Sequence, residues 1–106
     1  MLITTTETVA NHRIVKTLGL VRGNTIRARH VGKDIMAGLR NLVGGEIHEY
    51  AKLIAESREQ TLDRMVAEAE SLGANAVIAT RFTTSVMMGG AAELLAVGTA
   101  VVIEPE

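Results

Sequence analysis

The run from Val43 to Ile78 constrains this chain more than any other segment. After Val43-Gly44-Gly45-Glu46, the residues Ile47, Tyr50, Ala51, Ile54, Leu62, Met65, Val66, Ala69 and Leu72 recur mostly three or four apart, with Arg58 as the one charged interruption. Such spacing predicts an amphipathic helix from Glu46 to Leu72 with a single apolar stripe. Glu46 and Glu49 fall in its first turn, where carboxylates complement the helix dipole. Gly73 stands where a left-handed residue ends a helix, and Leu72-Gly73-Ala74-Asn75-Ala76-Val77-Ile78 passes at once into a strand. A helix specified at both ends and joined to a strand by a minimal turn calls for a helix laid on a sheet. The pairs Glu49 with Lys52, Lys52 with Glu56 and Arg64 with Glu68 have spacings that meet on an exposed helix surface, so that side is expected to face solvent.

The sheet is read from three further segments. Arg13 to Val21 is rich in β-branched and apolar residues and is expected to be a strand, with Gly23-Asn24 supplying a turn and a shorter strand preceding it at Leu2 to Thr5. Asn75 to Thr84 and Ala92 to Ile103 are the remaining strands, and their short connection favours antiparallel pairing. In the last of them Leu95, Val97, Val101 and Ile103 point to one face and Leu94, Ala96, Ala100 and Val102 to the other, so both faces are apolar. One amphipathic helix covers one side of a small sheet. The other side needs a short helix expected from Asp34 to Val43, the flanking strands, or another subunit. The fold class is therefore α+β in two layers, an antiparallel sheet with one long and one short helix, within a single domain spanning residues 1–106.

Composition limits the chemistry. The chain has no cysteine, which removes disulfides, thiolate nucleophiles and zinc-thiolate sites and suits a reducing interior such as the cytoplasm. The N-terminus lacks the basic and apolar regions of a signal peptide, and the most apolar stretch, Leu94 to Ile103, falls far short of the roughly 20 residues of a membrane helix. A cytoplasmic protein without a membrane partner is expected. Net charge is −1, yet residues 1–42 hold seven basic side chains against Glu7 and Asp34, while from residue 43 onward ten carboxylates face Lys52, Arg58, Arg64 and Arg81. A surface so divided is suited to head-to-tail self-association, though ordinary solvated charge leaves the same pattern.

Few residues suggest chemistry. His12, His30 and His48 fall in no zinc pattern. His48 sits beside Glu46 and Glu49 at the start of the main helix. Adjacent helical side chains diverge, so His48 and Glu49 do not chelate one ion within a subunit, whereas a symmetric ring would bring one ligand from every subunit to its axis. An exposed first-turn histidine is the plainer account. Met87-Met88 suits a soft metal ion or, more simply, an apolar loop tip. Gly44-Gly45 before a helix resembles a phosphate cradle, but no Lys-Ser or Lys-Thr follows and Glu46 puts negative charge there. The basic segment 22–33, with Arg27, Arg29 and Lys33, could touch phosphates, but Tyr50 and Phe82 are the only aromatic residues, so nucleic acid is disfavoured. Ser57, Ser71 and Ser85 lie in no nucleophile motif. An enzyme would need a composite site between subunits.

Four separated segments carry a resemblance: Leu18-Gly19-Leu20-Val21-Arg22-Gly23-Asn24-Thr25, Val43-Gly44-Gly45-Glu46, Leu72-Gly73-Ala74-Asn75-Ala76-Val77 and Glu93-Leu94-Leu95-Ala96-Val97-Gly98-Thr99-Ala100-Val101. In this order and spacing, over essentially the whole chain, they resemble the YbjQ-like family, whose label is heavy-metal binding and whose biochemical role is not established. The resemblance implies a dodecin-like subunit in a ring-shaped homopentamer. Val97 stands where relatives often carry tyrosine, and Ala10-Asn11 where a Pro-Gly turn is common. The expected function is that of a homo-oligomeric binding or scaffold protein. Its partner is itself, and any cofactor is a divalent or heavy metal ion held by Glu46 and His48. An intersubunit enzyme and a nucleic-acid binder are the alternatives.

Overall fold

The computed structural model describes residues 1–27, 45–86 and 92–106, with side chains for all of these except 27, 45–53 and 86. The chain runs β1 (Leu2–Ile3), β2 (His12–Arg27), α1 (Gly45–Ser71), β3 (Ala76–Val86) and β4 (Ala92–Pro105). The four strands form one sheet in the order β1-β3-β4-β2. β4 pairs antiparallel with β3, as their short connection favours, and antiparallel with β2, whereas β1 adds to β3 in parallel, Leu2 opposite Ala76 and Ile3 opposite Val77. The sheet is thus mixed rather than wholly antiparallel. The expected short helix from Asp34 to Val43, the Gly44 turn residue and the Met87-Met88 loop tip lie outside the described residues.

α1 ends as its sequence dictates. Gly73 takes φ +87, and the amides of Gly73 and Ala74 donate to the carbonyls of Glu70 and Ala69 at 3.0 and 3.1 Å. These bonds satisfy carbonyls that the helix itself leaves unpaired. Asn75 then leads into β3 by exchanging two side-chain hydrogen bonds with the Ile103 backbone: its Nδ2 donates to the carbonyl at 2.9 Å and its Oδ1 accepts from the amide at 2.8 Å.

Gly23-Asn24 does not turn. β2 continues through it to Arg27, and Gly23 serves a close approach instead. A Cβ there would collide with the Thr61 carbonyl and the Met65 amide of α1, so only glycine lets helix and strand come this near. Around it Val21, Met65, Ala69, Val77, Ala96 and Ala100 form the main core. The helix residues on this seam are Ser57, Thr61, Met65 and Ala69, all fully buried, one every fourth position. Ser57 and Thr61 were not among the apolar residues from which the stripe is read, while Leu72, which was, is 46% exposed. The hydroxyl of Thr61 donates to the Ser57 carbonyl at 2.8 Å and lies 2.9 Å from that of Thr25, which hides its polarity from the core.

Arg64 and Glu68 do not share a solvent-facing pair. A guanidinium nitrogen of Arg64 donates to the Asn24 carbonyl, and the Arg22 amide donates to the Glu68 carboxylate at 3.4 Å. Both backbone groups lie on the outer edge of β2, the last strand of the sheet. An open edge invites pairing with another chain, and here the helix covers part of it.

The other face of the sheet is divided. At the β1 end, Ala76, Ile78 and Val101 form a second core against Val9 and Ile103, so the N-terminal segment covers that end. Toward the far end, Leu20 and Ile26 remain 65% and 55% exposed.

Candidate functional site

A bulge in β3 determines what this far end presents. Ile78 pairs with Thr99 and Arg81 with Val97, which leaves Ala79 and Thr80 together opposite Gly98. Ala79 takes φ +52, a conformation a residue with a Cβ adopts at some cost. The Ala79 and Thr80 amides turn to the carbonyls of Thr6 and Thr4 at 2.8 and 3.0 Å, and an Arg81 guanidinium nitrogen holds the Thr5 carbonyl at 2.8 Å. Gly98 makes room, for a Cβ on it would lie 2.5 Å from a Val77 methyl and 3.1 Å from the Thr80 hydroxyl. That hydroxyl is buried without a hydrogen-bond partner among the described residues.

The extra residue reverses the alternation of β3. Val77, paired with Ala100, faces α1. Past the bulge Phe82, paired with Ala96, takes that side and Arg81, paired with Val97, takes the other. Two surfaces result. On the open face, Arg22, Val97 and Arg81 stand in one cross-strand row, with Asn24, Leu95 and Thr83 in the next, and the Asn24 side-chain amide donates to Glu93 at 3.2 Å. On the helix side, Ala55, Glu56, Arg58, Glu59, Leu62 and Phe82 line an open groove of about 570 Å³. Phe82 is 47% exposed in it. Arg58, expected to interrupt the helix stripe, lies at this groove and not in the core.

Glu46 and His48 lie in the first turn of α1, directly after Gly45. Among the described residues no three His, Cys, Asp or Glu side chains come together in an arrangement that could hold a metal ion, so the described side chains do not by themselves fit a metal centre. Of the basic segment, Arg22 to Arg27 belong to β2, while Arg29, His30 and Lys33 lie outside the described residues. Ser57 is buried in the helix seam, and the Ser71 hydroxyl donates to the Glu68 carbonyl at 2.6 Å. No described helix is long and apolar enough to cross a membrane. The two surfaces were beyond reading by strict alternation, because nothing in Ala79-Thr80 marks a bulge. Gly98 opposite was the one available signal.

Comparison with known proteins gives a consistent result. A family model, YbjQ, described as "Putative heavy-metal-binding", matches residues 1–104. A UPF0145 protein of Dehalococcoides mccartyi is 58% identical over 104 residues, 98% of this chain and 100% of its own. One of Methanosarcina acetivorans is 58% identical over 103 residues, 97% of either chain. The fold is similar to that of a protein of unknown function of the DUF74 family from Pediococcus pentosaceus, with a TM-score of 0.66 at 15% identity over 98% of both chains. With a family model matched along nearly its whole length and relatives well above half identical, the chain belongs to the YbjQ family of UPF0145 proteins.

Proposed function

We propose that the protein is a cytoplasmic homo-oligomeric binding or scaffold protein, a ring of dodecin-like subunits whose ligand surface is the pore or a cleft between subunits. The observation that carries this reading is the apolar surface that the described residues leave exposed on both sides of the far end of the sheet, Leu20 and Ile26 at 65% and 55% on one and Phe82 at 47% on the other. Fully burying one such side chain is worth about 1.5–3 kcal/mol, which a lone subunit forgoes. The shape agrees: the Cα radius of gyration is 17.3 Å with extents of 57 × 23 × 17 Å, against about 13 Å for a compact domain of this length. Five subunits is the count that the family resemblance implies. Native mass spectrometry of protein purified without chelator tests the reading directly. A pentamer mass is expected, and a monomer at micromolar concentration overturns it.

The metal version of this reading assigns Glu46 and His48 as ligands, one set per subunit around the ring axis. It draws support from the family description and from their shared position in the first turn of α1. Metal titration of the wild type and of His48→Ala decides it: binding lost in the variant supports the assignment, and identical isotherms remove it.

A further inference from the structure

The open face around Leu20 and the groove around Phe82 lie on opposite sides of the same end of the sheet, in the rows from Glu93 to Thr99 of β4. Each is apolar at its centre, and their charged rims differ in net sign: Arg22 and Arg81 outnumber Glu93 on the open face, and Glu56 and Glu59 outnumber Arg58 at the groove. Arg22 and Arg81 flank Val97 on the open face, about 10 Å apart by two strand spacings. The groove carries Glu56 and Glu59 with Arg58 between them. From this complementarity we infer that subunits join head to tail, the open face at Leu20 and Arg22 of one copy seated on the groove at Phe82 and Glu59 of the next.

The inference rests on the homo-oligomer reading and names its two contact surfaces. A two-fold contact of the open face with itself would set arginines against arginines, which is repulsive in a desolvated interface. A two-fold contact of grooves would set carboxylates together. Head-to-tail contact brings apolar centre to apolar centre and sets surfaces of opposite net charge against each other. Because the sheet separates the two surfaces, every copy that uses one still presents the other, and growth stops only when a ring closes.

The chain has no cysteine, so introduced thiols report on contacts without background. Leu20→Cys, Phe82→Cys and the double variant are treated with a short bis-maleimide and run on a denaturing gel, after native mass spectrometry has shown each to be assembled like the wild type. The double variant is expected to give a ladder rising by single subunits to the full oligomer. Each single variant is expected to stay at subunit mass, and the two co-expressed to give dimers and nothing larger. Dimers from either single variant overturn the inference, because like then meets like. An assembled double variant that does not cross-link overturns it as well, since other surfaces then hold the oligomer. A monomeric wild type removes the homo-oligomer reading itself, a separate outcome visible before any cross-linking.

Discussion

Gly23 of β2 lies directly against the Thr61 carbonyl of α1, with no room for a Cβ between strand and helix. The contact is backbone on backbone, so no side chain can move to relieve a larger residue. Gly23→Ala is expected to destabilise the protein by about 1–3 kcal/mol, the usual range for overpacking. Gly98 differs, because its neighbours include a Val77 methyl. Gly98→Ala should be partly rescued by Val77→Ala, whereas trimming Met65 should not rescue Gly23→Ala. Urea unfolding at one fixed protomer concentration checks both, since assembly couples to stability.

The buried hydroxyls of Thr25 and Thr61, 2.9 Å apart, give a second expectation. Thr61→Val removes a bond to the Ser57 carbonyl and a partner of Thr25, and should cost about 1–2 kcal/mol. The double variant Thr25→Val/Thr61→Val should cost less than the sum of the singles, because the hydroxyl–hydroxyl contact is lost in each single and only once in the double. A double-mutant cycle measures the difference.

Thr80 should behave in the opposite sense. Its buried hydroxyl has no partner among the described residues, and valine has the same shape without the polar atom. Thr80→Val is expected to stabilise the fold by about 1 kcal/mol, the lower end of the penalty for an unsatisfied buried group. Thermal unfolding reads this as a raised Tm, and a lowered Tm would show that the hydroxyl is satisfied.

The Glu68 carboxylate guards the Arg22 amide at the β2 edge. In Glu68→Ala that amide should exchange with deuterium faster than in the wild type. Glu68→Gln keeps an acceptor in place and should retain most of the protection. Because Arg64 and Glu68 each bond the strand rather than one another, adding salt to the wild type should change the exchange little.

Much of the fold is legible residue by residue. The spacing from Ile47 to Leu72 gives a helix within one residue of its observed ends, Gly45 and Ser71. Gly73 ends it in the left-handed conformation expected, and the alternation of Leu94 to Ile103 assigns both faces of β4 correctly. Gly23-Asn24 misleads because glycine serves turns and close approaches alike, and only the helix lying over it distinguishes them. Ser57 and Thr61 are hidden because a hydroxyl reads as polar until its bond to a carbonyl is seen. Of the candidate site, Glu46 and His48 were legible as positions on a helix turn, while the groove at Phe82 was not.

By itself, then, the sequence determined the local elements: the helix, its cap, the alternating strands and the family to which the chain belongs. Those depend on contacts within a few residues, where spacing and side-chain type are sufficient information. Tertiary structure alone decided the parallel addition of β1, the continuation of β2 past Gly23, the helix side chains that bond its edge, and the bulge at Ala79-Thr80 that turns Phe82 to the helix side and Arg81 to the open face. Each depends on which distant backbone groups meet, and the order in which strands pair is a property of the whole chain rather than of any window along it.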